Sequence, residues 1–193
     1  MNIANAITLS RIPLLFIIVG LLYSEKKYSG SIGFCLFVFA AYTDWLDGHL
    51  ARKYKITSSL GAFIDATTDK IFMIGTFITM LLLNIVPHWT LFLIILILLR
   101  EFIITALRAV AATQKVVIAA EAAGKAKTVI QMVSSIVLLL WYSITKDYPG
   151  LFNEDYLKVF RYFGLVLFIV ATGMTASSGI QYLIKYRSVL VGL

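Results

Sequence analysis

The residues best suited to chemistry are acidic and lie in a short polar segment that follows an apolar run. Helical spacing of i, i+3, i+4, i+7 and i+8 places five of these polar and small residues on one face: Asp44, Asp47, Gly48, Ala51 and Arg52. We favour a functional role for Arg52 because it shares the face of the aspartates. The segment therefore predicts a helix whose polar groups occupy a single stripe.

A second acidic stripe follows after a short polar connection. Gly61, Asp65 and Asp69 are spaced at i, i+4 and i+8, which again places them on one helical face. Residues 53–57 are polar and few enough to form a turn between the two helices. The chain is therefore expected to fold into a helical hairpin in which four carboxylates face each other.

Four carboxylates packed this closely would repel one another and take up protons unless cations lay among them. Ligands that are all oxygen suit Mg²⁺ or Mn²⁺, whereas zinc prefers histidine and cysteine. Two such ions about 3.5–4 Å apart can clamp a diphosphate and stabilise a leaving phosphate. Gly48 and Gly61 lack side chains, so a bulky group such as a nucleotide could approach the backbone between the aspartates.

The composition indicates a membrane protein. Hydrophobic residues make up 60% of the 193 residues and charged residues 14%, against about 25% charged in a typical soluble domain. A span needs roughly 20 apolar residues, so we predict an all-α polytopic protein in which residues 1–193 form one membrane domain. After a short interfacial segment, the predicted spans are Ile7–Leu22, Ser31–Leu46, Ser58–Leu83, Trp89–Ala112, Ala126–Ile144 and Leu157–Ile184.

The net charge of +7 follows from membrane topology. Basic residues are concentrated in the loops on one side, which the positive-inside rule places in the cytoplasm together with both termini and the aspartates. They do not form a stripe with exposed aromatic residues, so no nucleic-acid partner is expected.

Further basic residues on the same predicted side could bind an anion. Lys125 and Lys127 lie near the start of a predicted helix, where the helix dipole also favours negative charge. Arg100 and Arg108 flank a common face of the preceding helix. A salt bridge of Arg100 with Glu101, and lysines that merely reach toward the membrane surface, are the structural alternatives.

The motif resembles that of the CDP-alcohol phosphotransferase family. The family pattern D-x-x-D-G-x-x-A-R, eight residues, G-x-x-x-D-x-x-x-D is met without a gap from Asp44 to Asp69. The resemblance implies a six-helix fold, usually a homodimer, that displaces CMP from a CDP-linked lipid or alcohol. It also implies that Asp44, Asp47, Asp65 and Asp69 bind metal, and that Asp69 acts as general base toward the acceptor hydroxyl.

Three further segments resemble the bacterial phosphatidylglycerophosphate synthases of that family: the opening from Asn5 to Arg11, Arg100 to Arg108, and Gly124 to Met132. One departure is Ala4, where the family often has proline. The resemblance implies CDP-diacylglycerol as donor, membrane lipids as surroundings and a bacterial cytoplasmic membrane as location. The residues expected to bind the CDP-lipid are Asn5, Thr8, Gly48, Ala51, Arg52 and Gly61.

The implied acceptor is glycerol 3-phosphate. A phosphorylated acceptor brings a dianion to the site, and Arg100, Arg108, Lys125 and Lys127 supply cations for it. A cardiolipin synthase or an inositol-phosphate-using enzyme would keep the same aspartates.

Two other classes of protein also use intramembrane aspartates, namely prenyltransferases that act on diphosphates with Mg²⁺ and non-catalytic carriers of divalent cations. Prenyltransferases do not need this spacing of glycine, alanine and arginine, and Mg²⁺-dependent CMP release would separate a carrier from a transferase.

Overall fold

The computed structural model describes residues 3–54, 59–113 and 122–187. Within these ranges, the side chains of 3–7, 45–54, 59, 60, 62, 63, 113 and 122–125 lie outside the description. The last three residues of the predicted connection between the aspartate helices, 55–57, also lie outside the described residues, whereas residues 53 and 54 belong to a helix.

Six α-helices account for nearly all of the described chain, which confirms the all-α prediction. Their bounds are Ile3–Tyr23 (α1), Ser29–Tyr54 (α2), Ser59–Leu82 (α3), Leu91–Thr113 (α4), Ala122–Asp147 (α5) and Glu154–Lys185 (α6), with a 3₁₀ turn at His88–Thr90. The segment expected to lie in the interface is continuous with the first span, and Pro13 lies inside α1 without ending it. Helix α5 begins four residues before the predicted span, so Lys125 and Lys127 lie within its first two turns.

The helices are long and apolar enough for a polytopic membrane protein. Among the described residues, three stretches can cross a membrane by length and composition: His88–Ala112, Ala126–Asp147 and Glu154–Lys185. The apolar part of α1, Thr8–Tyr23, is shorter. Helices α2 and α3 contain the charged motif residues, which lower the apolar character of these two predicted spans.

The chain divides into two compact units. The first comprises Met1–Val86 with Ile136–Arg161, and the second comprises Pro87–Ser135 with Tyr162–Leu193. That residues 1–193 act as one domain stays a prediction.

In the first unit, α1 packs against both α2 and α3. Phe37 of α2 stacks on Phe72 of α3, with ring centroids 5.6 Å apart and an interplanar angle of 17°. Close packing of α1 on α3 depends on Gly75, because a Cβ at this position would lie only 2.5 Å from Cδ2 of Leu15. Stacked rings and a close helix contact thus hold the helices of the two aspartate segments in a fixed arrangement.

The first turn of α2 is capped by a residue far away in the sequence. The carboxylate of Asp147, at the end of α5, accepts hydrogen bonds from the backbone N–H of Ser31 (2.5 Å) and Gly30 (3.4 Å) and from the Ser31 hydroxyl (2.7 Å). The N–H groups of a first helical turn have no partner within the helix, and a carboxylate there also complements the helix dipole. Asp147 therefore ties the end of α5 to the start of α2.

The C-terminus of α1 is held in a similar way. The carbonyl oxygen of Leu22 accepts hydrogen bonds from the Tyr142 hydroxyl (3.0 Å) and from Nζ of Lys146 (2.6 Å). Arg161 fastens the α3–α4 turn, since its guanidinium donates to the carbonyls of Ile85 (3.0 Å) and Asn84 (2.8 Å). Helix ends in this unit are thus fixed by polar side chains from distant parts of the chain.

Replacing Asp147 with alanine should destabilise the protein. Loss of a helix cap typically costs about 0.5–2 kcal/mol, which for a chain of this size corresponds to a fall in Tm of roughly 1–8 °C. Thermal unfolding in detergent measures the shift. Asp155→Ala is the matched control because Asp155 is exposed and its carboxylate pairs with the likewise exposed Lys158 on the helix surface. Equal Tm values for the two variants would contradict the capping role.

The second unit is built around packing between α4 and α6. Its core contains Ile104, Leu107 and Ala111 of α4 with Tyr182 of α6. Helix α5 joins α6 through buried polar contacts, because Ser134 donates to the carbonyl of Gly164 (2.9 Å) and Gln131 to the hydroxyl of Thr175 (3.2 Å). Small and polar residues at such contacts let helices approach closely within a membrane.

Candidate active site

The first aspartate stripe lies on one continuous helix, as its spacing predicts. Asp44, Asp47, Gly48, Ala51 and Arg52 all fall within α2, which extends from the apolar segment through the motif without a break. The side chain of Asp44 is partly exposed. The side chains of the other motif residues on α2 lie outside the description, so their role stays a prediction.

The second stripe lies on α3, also as predicted. Gly61 and Asp69 are half-buried and Asp65 is exposed, and each of the three takes part in a further interaction within the protein. Because a turn of α-helix contains 3.6 residues, the spacings of four and eight keep all three on one side of the helix.

The stacked phenylalanines set the register between the two stripes. Asp44 lies seven residues after Phe37, and Asp65 lies seven residues before Phe72. Seven residues are about two helical turns, or roughly 10 Å, and return to nearly the same face. Since Phe37 contacts Phe72, Asp44 and Asp65 are on the faces that α2 and α3 turn toward each other, at the same end of the hairpin. The contact thus supports the predicted pairing of the stripes.

Asp44 has a cationic partner that was not predicted. Nη1 of Arg11, on α1, forms an ion pair with Oδ1 of Asp44, and the Arg11 side chain is only 3% exposed. Thr8 is buried one helical turn before Arg11, whereas the side chain of Asn5 lies outside the description. Helix α1 therefore supplies a buried positive charge to the aspartate hairpin.

The donor set fits a hard divalent cation. Asp44, Asp65 and Asp69 provide carboxylate oxygens, the ligands that Mg²⁺ and Mn²⁺ prefer, on two helices that face each other. Among the side chains that the structure describes, which exclude Asp47, no three acidic, histidine or cysteine side chains converge on one point. Metal binding by the four aspartates stays a prediction.

In the second unit, three charged side chains are joined at one carboxylate oxygen. Oε1 of Glu101 accepts from Nη1 of Arg100 at 3.1 Å and forms an ion pair with Nζ of Lys127. Arg100 also donates from Nη2 to the Ser178 hydroxyl at 3.4 Å. The salt bridge of Arg100 with Glu101, which the sequence offered as the structural alternative to anion binding, is present, and Lys127 joins it.

Arg108 lies on α4 two turns after Arg100 and is exposed. Its Nη2 donates to the Tyr182 hydroxyl at 3.0 Å, and its guanidinium lies 5.5 Å from the centre of the Tyr182 ring. The side chain of Lys125 lies outside the description. Three of the four cations expected to bind an acceptor phosphate thus have defined partners within this unit.

Sequence reasoning missed Glu101 as a partner of Lys127 and Arg11 as a partner of Asp44. Both could have been suspected, because an ionisable residue inside an apolar helix needs a partner. Ser178 and Tyr182 carry no such signal, since hydroxyl residues are common in membrane helices and their partners lie more than 70 residues away in the sequence.

Six helices, two of which contain the aspartate stripes, and three described stretches that are long and apolar enough to cross a membrane indicate a polytopic membrane protein. Residues 1–177 match the family model of the CDP-alcohol phosphatidyltransferases, and the chain belongs to this family.

Curated relatives cover much or nearly all of the chain. A protein of Salmonella typhimurium is 33% identical over 194 residues, which is 98% of this chain and 97% of the relative. A protein of Bacillus subtilis is 33% identical over 72% of this chain and 77% of its own length, and one of Rickettsia felis is 35% identical over 72% and 75%. All three are named CDP-diacylglycerol–glycerol-3-phosphate 3-phosphatidyltransferase. Family membership sets aside the prenyltransferase and cation-carrier alternatives.

Proposed function

We propose that this protein transfers the phosphatidyl group of CDP-diacylglycerol to glycerol 3-phosphate, giving phosphatidylglycerol phosphate and CMP. The observation that carries the proposal is the similarity, over nearly the whole chain, to relatives named for this activity. The unbroken aspartate motif on α2 and α3 supports it.

In the proposed reaction, a hydroxyl oxygen of glycerol 3-phosphate attacks the phosphorus that carries the diacylglycerol. The bond from this phosphorus to the bridging oxygen breaks, and CMP leaves with the electron pair. Asp69 accepts the proton of the attacking hydroxyl. It suits this role because it is half-buried on the aspartate stripe, and a general base must lie within hydrogen-bond reach of the group it deprotonates.

Asp44, Asp47, Asp65 and Asp69 would hold Mg²⁺ or Mn²⁺, two ions to a site. Bound there, the ions would neutralise the diphosphate charge and stabilise the leaving phosphate. The protein's own residues orient the donor: Arg11 fixes Asp44 by an ion pair, and Gly48, Ala51 and Gly61 would leave room for the nucleotide. Asn5, Thr8 and Arg52 are proposed to bind the CDP-lipid.

Selection of a phosphorylated acceptor is assigned to Arg100, Arg108, Lys125 and Lys127. Arg100 and Arg108 donate to hydroxyl groups of α6 and present planar guanidinium groups, which suit bidentate contact with phosphate. Neutral acceptors would not need such a concentration of cations.

The protein is proposed to work as a homodimer in the bacterial cytoplasmic membrane. The distribution of lysine and arginine supports cytoplasmic termini and a cytoplasmic aspartate hairpin. The acyl chains of the donor would then remain in the bilayer while its CDP head reaches the hairpin.

Gly179 is expected to determine where Arg100 lies. A Cβ at this position would be 2.7 Å from Cγ of Arg100, so Gly179→Ala should displace the arginine stem. We expect the KM for glycerol 3-phosphate to rise about tenfold, because a hydrogen bond to a charged group is worth about 1.5–3 kcal/mol. Gly173→Ala is the matched control, since a Cβ at this position of the same helix meets nothing within 4 Å. An unchanged KM in Gly179→Ala would separate Arg100 from acceptor binding.

The proposed function is tested by CMP release from purified protein with CDP-diacylglycerol and Mg²⁺. The acceptors compared are glycerol 3-phosphate, phosphatidylglycerol, inositol phosphate and serine. We expect turnover with glycerol 3-phosphate alone. Turnover with a different acceptor would keep the aspartate chemistry and overturn the acceptor assignment.

A further inference from the structure

Glu101 occupies an unusual position among the cations of the second unit. One oxygen of its carboxylate contacts both Arg100 and Lys127, which come from different helices, α4 and α5. The side chain of Lys127 is 4% exposed and that of Arg100 is 11% exposed, whereas Glu101 is 27% exposed. Glu101 is therefore the most exposed of the three charged groups.

Burying an ammonium or guanidinium costs free energy unless a counter-charge compensates the lost hydration. Glu101 provides one negative charge for two positive ones, so the three groups together carry a net charge of +1. Arg100 is further fixed by Ser178, and no described residue accepts a hydrogen bond from its buried Nε. Arg100 is thus held in place yet keeps donor capacity.

We propose that Glu101 is a positioning residue for acceptor binding, which holds Lys127 and Arg100 together and oriented toward the phosphate of the acceptor. This inference rests on the proposed function. Without the carboxylate, the two cations would repel each other, and the ion pair that orients Lys127 would be lost. Glu101 itself contacts neither the reacting phosphorus nor the acceptor hydroxyl in this scheme.

The test is steady-state CMP release by Glu101→Gln, with glycerol 3-phosphate and CDP-diacylglycerol varied in turn. We expect the KM for glycerol 3-phosphate to rise at least about tenfold, while the KM for CDP-diacylglycerol changes less than about twofold. A change confined to one substrate's KM indicates lost binding of that substrate rather than general damage. Asp155→Asn, which neutralises the exposed partner of Lys158 on α6, should leave both KM values unchanged.

A double-mutant cycle tests whether Glu101 acts through Lys127. Lys127→Met alone should raise the KM for glycerol 3-phosphate, and adding Glu101→Gln should raise it by less than about twofold more, since the two residues act together. Full additivity of the two effects would overturn the inference. Glu101→Asp keeps the charge on a shorter side chain and should recover part of the affinity.

The outcomes separate this inference from the function on which it rests. If the wild-type protein releases no CMP with glycerol 3-phosphate, the proposed function and the role of Glu101 both fall. If the wild-type protein is active and Glu101→Gln keeps or lowers the KM for glycerol 3-phosphate, only the role of Glu101 is overturned. If Glu101→Gln and Glu101→Asp both fail to fold, the carboxylate is a structural ion pair and the inference is wrong.

Discussion

Replacing Asp69 with asparagine should lower kcat by about 10²–10⁴-fold, the contribution typical of a general base. Asparagine has nearly the same shape as aspartate but does not accept the proton of the acceptor hydroxyl. Asp69 lies on the second stripe of α3, one turn after Asp65 and three residues before the stacked Phe72. The substitution should therefore remove the base and leave the hairpin in place.

Two measurements accompany this prediction. Metal-dependent binding of CDP-diacylglycerol should be largely kept in Asp69→Asn, because the other carboxylates of both stripes remain. The Tm should match that of Asp155→Asn, a control with the same chemical change at an exposed site. Wild-type turnover by Asp69→Asn would remove Asp69 from the role of base.

Removal of divalent cations should abolish activity altogether. Four carboxylates facing a diphosphate would repel it, so without counter-charge the donor should neither bind productively nor lose CMP. After treatment with EDTA, CMP release should fall to background, and Mg²⁺ or Mn²⁺ should restore it. Calcium should restore little, since its longer bonds and higher coordination number suit a different geometry.

Metal binding can also be tested without measuring activity, through its effect on the stability of the protein. Ions that bind only the folded protein raise its Tm in a concentration-dependent way, so Mg²⁺ should stabilise the wild-type protein. Asp65→Asn should reduce the rise in Tm that Mg²⁺ causes, because it removes an exposed carboxylate of the motif. Asp155→Asn should leave this rise in Tm unchanged. Full activity in protein shown by metal analysis to be free of divalent cations would contradict the assignment.

Much of the fold could be predicted because its determinants are local. Long apolar runs separated by polar turns predict helices directly, and the six predicted spans correspond to α1–α6. The contacts that fix the helix ends and turns were less predictable. The cap that Asp147 supplies to Ser31 joins residues 116 positions apart, and the contacts of Arg161 with the α3–α4 turn join residues 76 and 77 positions apart. Local sequence patterns do not reveal such contacts.

In the candidate site, too, features set by local sequence could be predicted, whereas contacts between distant residues could not. The stripes on α2 and α3 follow from helical periodicity, so Asp65 and Asp69 could be placed on one face from spacing alone, and Asp44 joined them through the predicted hairpin. The partners that orient charged groups could not be found in that way. Arg11 reaches Asp44 from another helix, and Glu101 joins Lys127 across α4 and α5. Both pairings depend on tertiary packing, which spacing within one helix does not encode.

The most direct test of the central claim follows the acceptor into the product. Purified protein is incubated with CDP-diacylglycerol, Mg²⁺ and glycerol 3-phosphate labelled in its phosphate, and the lipid extract is analysed by mass spectrometry. We predict that the label appears in phosphatidylglycerol phosphate with one CMP released for each lipid formed. Release of CMP without label in the lipid, or labelled lipid without CMP, would contradict the proposed transfer.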